Sequence, residues 1–541
     1  MMPFFSLCMI IKDEEKVLNR CLDSVKDIVD EIIVIDTGST DNSKKVAALY
    51  TEKIYDYCWN DDFSKARNFA ASKASGKWII VLDADEYVDK ESFMMFKKDL
   101  EEKEVEENIF ITQIVNFMGV EGEGTSLNYH ERIYRNNSMI YYYRSVHEML
   151  KHSDSKEVRG IASFQIFHTG YLESNMKKKR DSQRNLNILK MKRAKEPMDY
   201  YFLGNEYYSL KKYDLAISYY KKGFQKKKSI NSDWIPKLLV KLISSLQLAN
   251  RHQEAKNIIN DSMKVYPSLV DFKYLKGKMY LDQKKNNKAI LIFEDVLAKK
   301  EKFQANFSED FLEYLPHGHL GELYEETDEF NLAVHHYSKA ISLNDQNNYL
   351  WVRLITLLAK KSSIEDIINF LNNNVLTRKS MTYKRFATII LSVPILEVRQ
   401  LILLLDFSNE LTPLEKESIE LKSYLLHKKI NLIAEQLTKK SVTEINIILN
   451  GPVFKLIDLI YISIKSDSNY LKSVLYEICK EKAILNILDS IFKGKSIKIN
   501  EKEEKILRAL YIECDVYDDK ELIQILNNRK YRRNITTQLM R

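Results

Sequence analysis

The sequence predicts an α/β domain built on a mainly parallel sheet covered on both faces, followed by an all-α repeat array and a helical C-terminal extension. Three observations carry this. Short β-branched runs alternate with amphipathic stretches to about residue 167 and then stop. Gly and Pro are scarce, 14 and 8 in 541 residues, and Lys, Leu, Ile and Glu dominate the second half, as in helix-rich chains. A Gly followed 12 positions later by Ala recurs at 204/216, 277/289 and 321/333.

The elements follow in order. "MMPFFSLCMIIKDEE" has an apolar stretch that reaches Lys12 too soon for a signal peptide or a spanning helix, so it reads as a first buried strand. The strand runs "SLCMII", "EIIVID", "KIYDY" and "WIIVLD" are separated by "EEKVLNRCLDSV", "SKKVAALY" and "SKARNFAASKA", a β-α-β-α-β-α-β order that implies parallel strands with helices on both faces. "IFITQIV", "ERIYR" and "IASFQIF" add further strands. In such sheets the ligand-binding loops lie beyond the carboxyl ends of the strands, where Asp13, Asp36 and Asp83 fall.

After "FHTGYLESN" the strand signal ends, and "MKKKRDSQRNLNILKMKRAK" reads as a long basic helix leading out of the first domain. In the repeats, Tyr207, Tyr280 and Tyr324 follow each Gly by three, and Tyr220, Phe293 and Tyr337 follow each Ala by four. A weaker copy puts Ala255 in register with Ile243. The spacing is close to that of tetratricopeptide repeats, in which small residues let paired helices approach and aromatics fill the gap between neighbouring pairs. Beyond about Asn348 the apolar helices "IEDIINFLNN", "ILEVRQLILLLDF" and "EKILRALYIECDV" read as plain helix-on-helix packing, and the basic end "NNRKYRRNITTQLMR" as a fraying tail. The expected division is 1–175 for the α/β domain, 176–198 for a linker helix, 199–348 for the repeats and 349–541 for the helical region.

Composition narrows the function. A net charge of +7 is the small difference between 83 basic and 76 acidic residues, which describes a mixed-sign surface and argues against nucleic acid as a partner. Five cysteines with no CxxC pair indicate neither a disulfide framework nor a zinc site, and the expected compartment is the cytoplasm. With no transmembrane segment expected, a membrane substrate would be met from the surface.

"KWIIVLDADEYVD" crowds Asp83, Asp85 and Glu86 at the mouth of an apolar strand, where their mutual repulsion calls for a positive charge between them. Mg²⁺ or Mn²⁺, shared between carboxylates and a diphosphate, answers that need. In an extended turn Asp83 and Asp85 point the same way, so one can take the metal and the other a sugar hydroxyl. A solvated acidic loop, or a helix N-terminus around Asp89 and Glu91, is the plainer reading. In "VIDTGSTDNS", Asp36 leaves the second strand, while Ser39, Thr40 and Asp41 can cap the next helix. Asp36 can equally accept from a uracil imide or a ribose hydroxyl. Arg67 in "DFSKARNFAAS" offers a fork for phosphate oxygens, a partner for a loop carboxylate, or a surface ion pair.

"SLCMIIKDEEKVLNRCLDSVKDIVDEIIVIDTGSTDNS" followed by "NDDFSKARNFAASKASGKWIIVLDADE" resembles family 2 glycosyltransferases of the Rossmann-like GT-A fold, in the branch with tetratricopeptide repeats behind the catalytic domain. That branch includes the bacteriocin-modifying peptide S-glycosyltransferases of the sublancin type, and "RSVHEML" and "IFHTGY" are similar to its members. The resemblance spans roughly residues 4 to 345. It implies a nucleotide-diphosphate sugar donor, most often UDP-linked, a divalent metal on the DXD-type motif, and transfer with inversion. Under it Asp36 contacts the base, Asp83 the ribose or sugar, and Asp85 the metal, with Asp83 also counted among the metal ligands. Asp13 and Glu14 stand on the donor side, Asp13 where the branch often has Asn in "KNEE", a departure that bears on donor preference.

Charge sets the remaining expectations. A metal and Arg67 would stabilise the leaving diphosphate by several kcal/mol as the sugar becomes oxocarbenium-like. Glu148 in "VHEML" is the candidate base, with His147 as its alternative or orienting neighbour. His168 in "FHTGY" can complete the metal shell or serve as a strand-end hydrogen bonder. Arg132, Arg135 and Arg144 are further candidates for diphosphate or acceptor contacts. The repeat groove would hold a peptide or protein acceptor presenting Ser, Thr or Cys, or a second copy of the chain as a homodimer. Two rival readings are a non-catalytic interaction scaffold and a transferase for a cell-surface polysaccharide or lipid, the latter supported by "KKKR" at 177–180.

Overall fold

The computed structural model describes residues 3–118, 124–172, 183–378, 381–403, 413–451, 453–495 and 499–528. Parts of five stretches quoted above lie outside them: 1–2 of the opening stretch, 173–175, 176–182 with the "KKKR" run, 404–407, and 529–541 of the basic tail. The described residues form two compact units, one from Met1–Leu323 with Ser342–Gln346, the other from Tyr324–Ile341 with Asn347–Arg541.

The first unit opens with β1 (Phe5–Ile11), α1 (Leu18–Val25), β2 (Glu31–Asp36), α2 (Ser43–Ala47), β3 (Ile54–Asp56), α3 (Phe63–Ala71) and β4 (Trp78–Val81). This is the alternation expected. There follow β5 (Glu86–Val88), α4 (Lys90–Glu102), β6 (Ile109–Met118), β7 (Gly124–Arg135), β8 (Ile140–Tyr143), β9 (Met149–His152) and β10 (Arg159–His168). Eight strands make one sheet in the order β3-β2-β1-β4-β7-β6-β10-β5. β3, β2, β1 and β4 are mutually parallel, as are β6 and β10, while β7 runs antiparallel to both β4 and β6, and β5 antiparallel to β10. β8 and β9 form a separate antiparallel ribbon.

A strand covered on both faces has no polar side to show, which is why β1, β2 and β4 read as unbroken apolar runs. Leu7 and Met9 face one way, against Leu18, Leu22 and Val25 of α1 and Phe93 of α4. Cys8 faces the other way, with Ile33, Ile35, Ile79 and Val81, toward Ala70 of α3 and Tyr142 of β8. The edge opposite the loops is tied by Glu31, whose carboxylate accepts from Ser6, Lys53 and both the N–H and hydroxyl of Ser75.

Along the chain after the sheet come α5 (Arg184–Met191) and three helical pairs, α6 (Pro197–Ser209) with α7 (Tyr213–Gln225), α8 (Trp234–Leu248) with α9 (His252–Val265) and α10 (Val270–Asp282) with α11 (Asn286–Ala298), followed by α12 (Tyr314–Glu326) and α13 (Phe330–Leu343). A methyl built on Gly204 would stand 2.4 Å from the Tyr220 ring, and one on Gly277 2.6 Å from Phe293. The aromatics therefore pack onto the glycine of their own pair, and Phe293 also reaches the next pair, stacking on His319 at 5.3 Å as the spacing suggested. In the second unit, helices run from Asn348–Ala359 to Lys520–Asn528 around a buried ionic network, Arg399 on both oxygens of Glu513 at 2.9 Å and Lys422 on Asp458 at 2.7 Å. "ILEVRQLILLLDF" contributes a one-turn helix, Leu396–Gln400, and a 3₁₀ turn, Leu401–Leu403, before the described residues break off.

Candidate active site

The carboxyl ends of β1, β2 and β4 meet at one edge of the sheet, and their loops are laced together by carboxylates. Asp13, at φ 55°, accepts from the Thr40 N–H at 2.7 Å and from its hydroxyl at 3.1 Å. Asp36 is buried and accepts the N–H groups of Gly38 at 3.3 Å and Ser39 at 3.1 Å. The turn needs glycine at 38, where φ is +102°. Glu14 donates its N–H to the Ser43 hydroxyl at 2.6 Å, and Asp41 accepts from the Ser43 N–H at 2.9 Å, securing the start of α2.

Beyond β4 the acidic turn is closed on itself: the Glu86 N–H donates to the Asp83 carbonyl at 3.0 Å, and the Asp83 N–H to Oε2 of Glu86 at 2.9 Å. β5 then pairs with the end of β10, placing His168 opposite Glu86. This short strand was not expected from the sequence.

Two arginines neutralise much of the crowding. Arg67 on α3 is buried and places Nη2 2.8 Å from Asp83 Oδ1 and Nε 2.7 Å from Glu148 Oε1. Arg132 on β7 places Nη2 3.2 Å from Asp83 Oδ2 and 2.5 Å from Glu86 Oε1. Of the readings open for Arg67, the structure gives the partner of a loop carboxylate. Burial alone would raise the Asp83 carboxyl, but the charges of Arg67 and Arg132 outweigh it and hold Asp83 well below the ordinary carboxylate range. Glu86 moves the other way, pushed up to about 7 by burial, with Asp83's charge adding to the rise and Arg132 opposing it. Arg67 Nη1 and Arg132 Nε are buried and have no acceptor among the described residues, so the cluster keeps donors in reserve.

Asp85 sits beside this chain of charges. Its Oδ2 lies 3.3 Å from His168 Nε2, and the other ring nitrogen of His168 is 2.7 Å from Asn116 Oδ1. In the tautomer with Nδ1–H donating to Asn116, Nε2 is left to a cation held between it and Asp85, the usual way a second residue orients a metal-binding imidazole. Thr169 fixes the Asp85 backbone through its N–H at 3.2 Å and its hydroxyl at 3.1 Å, and Arg20 in turn donates to that hydroxyl at 2.7 Å. Among the described residues no group of three or more His, Cys, Asp or Glu side chains is arranged around an ion. Asp85 and His168 supply two donors, a number that fits Mg²⁺ or Mn²⁺ when the rest of the shell comes from water and a bound diphosphate.

The remaining candidates divide. Glu148 is mostly buried and has no hydrogen bond besides that from Arg67 among the described residues. His147 and Arg144 turn elsewhere: the His147 ring stacks on Phe202 at 3.8 Å and 12°, and Arg144 pairs with Glu196 at 2.6 Å and with Asp199. Burial lowers the His147 pKa to about 4, with Glu148 opposing and Arg144 assisting. Arg135 donates to the carbonyls of Glu107 and Val105 and covers the Trp78 ring, a structural role. Sequence reading passed over Arg20, Asn116 and Thr169. The Asn116 side chain is buried at the far end of a strand rich in apolar residues, a signal that could have found it.

Comparison with known proteins gives the context. Residues 6–156 match the model for glycosyl transferase family 2, and residues 200–225 and 317–347 match the tetratricopeptide repeat. A TPR repeat-containing protein of Synechococcus elongatus is 34% identical over 206 residues, 36% of this chain and 49% of its own length. The SPbeta prophage-derived glycosyltransferase SunS of Bacillus subtilis is 28% identical over 292 residues, 52% of this chain and 68% of its own length. The chain thus spans about half of the first relative and two thirds of the second. Among solved structures, glucosyl-3-phosphoglycerate synthase of Mycobacterium tuberculosis with Mn²⁺ and UDP-glucose is 18% identical over 21% of this chain and 44% of that one, at a TM-score of 0.19.

Proposed function

The chain joins a family 2 glycosyl transferase domain to tetratricopeptide repeats, and from that premise we propose that it moves a hexose from a nucleotide-diphosphate donor, UDP-linked in the first instance, to a Ser, Thr or Cys side chain of a peptide or protein held by the repeats. The observation that carries the reading is the Asp85–His168 pair at the strand ends, beside an acidic turn already balanced by Arg67 and Arg132.

Four carboxylates, Asp83, Asp85, Glu86 and Glu148, stand among two guanidinium groups, so the cluster is two charges negative when every carboxyl is ionised. A divalent ion on Asp85 and His168 would offset that charge and supply Lewis-acid stabilisation of the diphosphate as it leaves. The protein's own part is positional. Asp36 and the laced loops of Asp13 and Glu14 form the floor for base and ribose, and Asp83, held rigid by two arginines, accepts from a ribose or sugar hydroxyl. Glu148 uses one oxygen for Arg67 and turns the other to the acceptor. In the transfer, the bond between the anomeric carbon and the diphosphate oxygen breaks with its electron pair leaving on the diphosphate. The acceptor oxygen or sulfur bonds the opposite face of that carbon, and its proton passes to Glu148. A thiol ionises with less help, so Glu148 matters more for a hydroxyl acceptor than for a Cys acceptor.

The test is hydrolysis and transfer with a panel of nucleotide sugars, read by mass on peptides encoded beside this protein, with and without Mn²⁺. Asp85→Ala should abolish the metal-dependent reaction. Equal rates in parent and variant would refute the assignment.

A further inference from the structure

The loop between β8 and β9, which carries Glu148, is strained and gripped from outside the α/β domain. Arg144 has φ 78° and His147 φ 53°, left-handed backbone that side-chain-bearing residues adopt only when surrounding contacts hold them there. Those contacts come from α6, the first helix of the repeats. Asp199, 1% exposed, accepts from Arg144 Nη2, while Arg144 Nη1 donates to Glu196 at 2.6 Å. One turn along the same helix face, Phe202 stacks on His147 and lies 5.5 Å from the Arg144 guanidinium carbon. Asp199 is itself fixed by the Glu196 N–H at 2.7 Å, in a reciprocal cap at the start of α6, and by Lys192 at 2.7 Å.

Both ends of the segment Arg144–Glu148 are thereby tied. Arg144 is anchored to α6, Glu148 to Arg67 of α3, and the Phe63 N–H that opens α3 donates to the Ser145 carbonyl at 2.9 Å. We propose that α6 sets the position of Glu148 in the site, with Asp199 and Arg144 as positioning residues and the Phe202–His147 stack as the second point of contact. The repeat array is then a structural part of the reaction centre and not merely a dock for the acceptor. The inference rests on Glu148 being the base of the proposed transfer. It reassigns Arg144 and His147, which the sequence suggested for donor binding and for proton transfer.

The test uses the full chain, Mn²⁺, UDP, and whichever UDP-hexose the parent hydrolyses fastest. For Arg144→Gln and Asp199→Asn the expected result is a fall in kcat of at least fivefold, with KM for the donor and the calorimetric Kd for UDP within twofold of the parent. The double variant should be no slower than the slower single variant, because both remove one contact. Asp199→Glu should recover part of the loss. Should Asp199→Asn unfold α6, Phe202→Leu leaves the helix cap intact and carries the same expectation of lower kcat at unchanged UDP affinity. A loss under fivefold in both Arg144→Gln and Phe202→Leu overturns the proposal, as does a parallel loss of kcat and UDP affinity. A parent that binds no UDP and hydrolyses no nucleotide sugar overturns the transferase reading as well. Normal parent activity with unaffected variants overturns this inference alone.

Discussion

Removing the guanidinium of Arg67 should unbalance the site more than any other single change. Arg67→Met keeps the packing of the stem and deletes the charge. Asp83 would still have Arg132 at 3.2 Å, but Glu148, 11% exposed, would lose the one hydrogen-bond donor it has among the described residues. Breaking a buried ion pair from one side costs about 3–5 kcal/mol because the surviving charge is left without compensation. One carboxylate is wholly deprived and the other half deprived, so the expected loss is about 3 kcal/mol at pH 7. Adding Glu148→Gln removes the orphaned charge and should restore about half of it, which makes the pair non-additive. The assay is denaturant unfolding combined with hydrogen exchange of peptides from α3 and β4, which reports this region directly. A loss under about 1 kcal/mol in the single variant, or no recovery in the double, would refute the electrostatic account.

Three further outcomes are expected. Burial opposes ionisation of Glu31, yet its bonds from Lys53, Ser6 and Ser75 bring its pKa down to about 2, so its contribution is complete above the ordinary value of 4.5 and disappears as the pH falls toward 2. Glu31→Gln should therefore cost about 2 kcal/mol at pH 7, with parent and variant unfolding curves converging in acid. His147, lowered from 6.5 to about 4, stays neutral in the fold while the unfolded chain takes up a proton, so stability falls with decreasing pH across that window. His147→Phe should remove up to about 1.4 kcal/mol per pH unit of that slope in unfolding followed between pH 4 and 6.5. Gly204→Ala would drive a methyl into the Tyr220 ring, and a destabilisation of about 1–3 kcal/mol should appear in thermal unfolding of the first unit.

Elements with a strong local signal were legible. β1, β2 and β4 are apolar along their whole length because both faces are covered, and the repeat helices announce themselves through the spacing of Gly204, Ala216 and Tyr220. β5 was not legible, because three residues after an acidic turn become a strand only when β10 lies alongside them. The turn's carboxylates were visible as a charge problem, but its solution mixes two arginines from distant elements with one imidazole. Arg67 and Arg132 are 16 and 49 positions from Asp83, separations that no local pattern encodes. Arg144 and His147 looked like site residues because they flank Glu148. Their partners Asp199 and Phe202 lie about 55 residues on, in a different kind of structure, and nothing in "RSVHEML" points there.

The antiparallel register of β5 and β10 has a consequence for how this chain can change over time. Successive residues on a strand face opposite sides, so a one-residue insertion or deletion in the last stretch of β10 would rotate His168 away from Asp85 and bring a neighbour into its place. The irregularity that β10 already carries against β6, between Ile161 and Gln165, sits upstream of that stretch and leaves its final four residues in uninterrupted pairing. A length change after Gln165 would therefore break the pairing that sets His168 against Asp85, which ties the site to the exact spacing between that glutamine and the histidine.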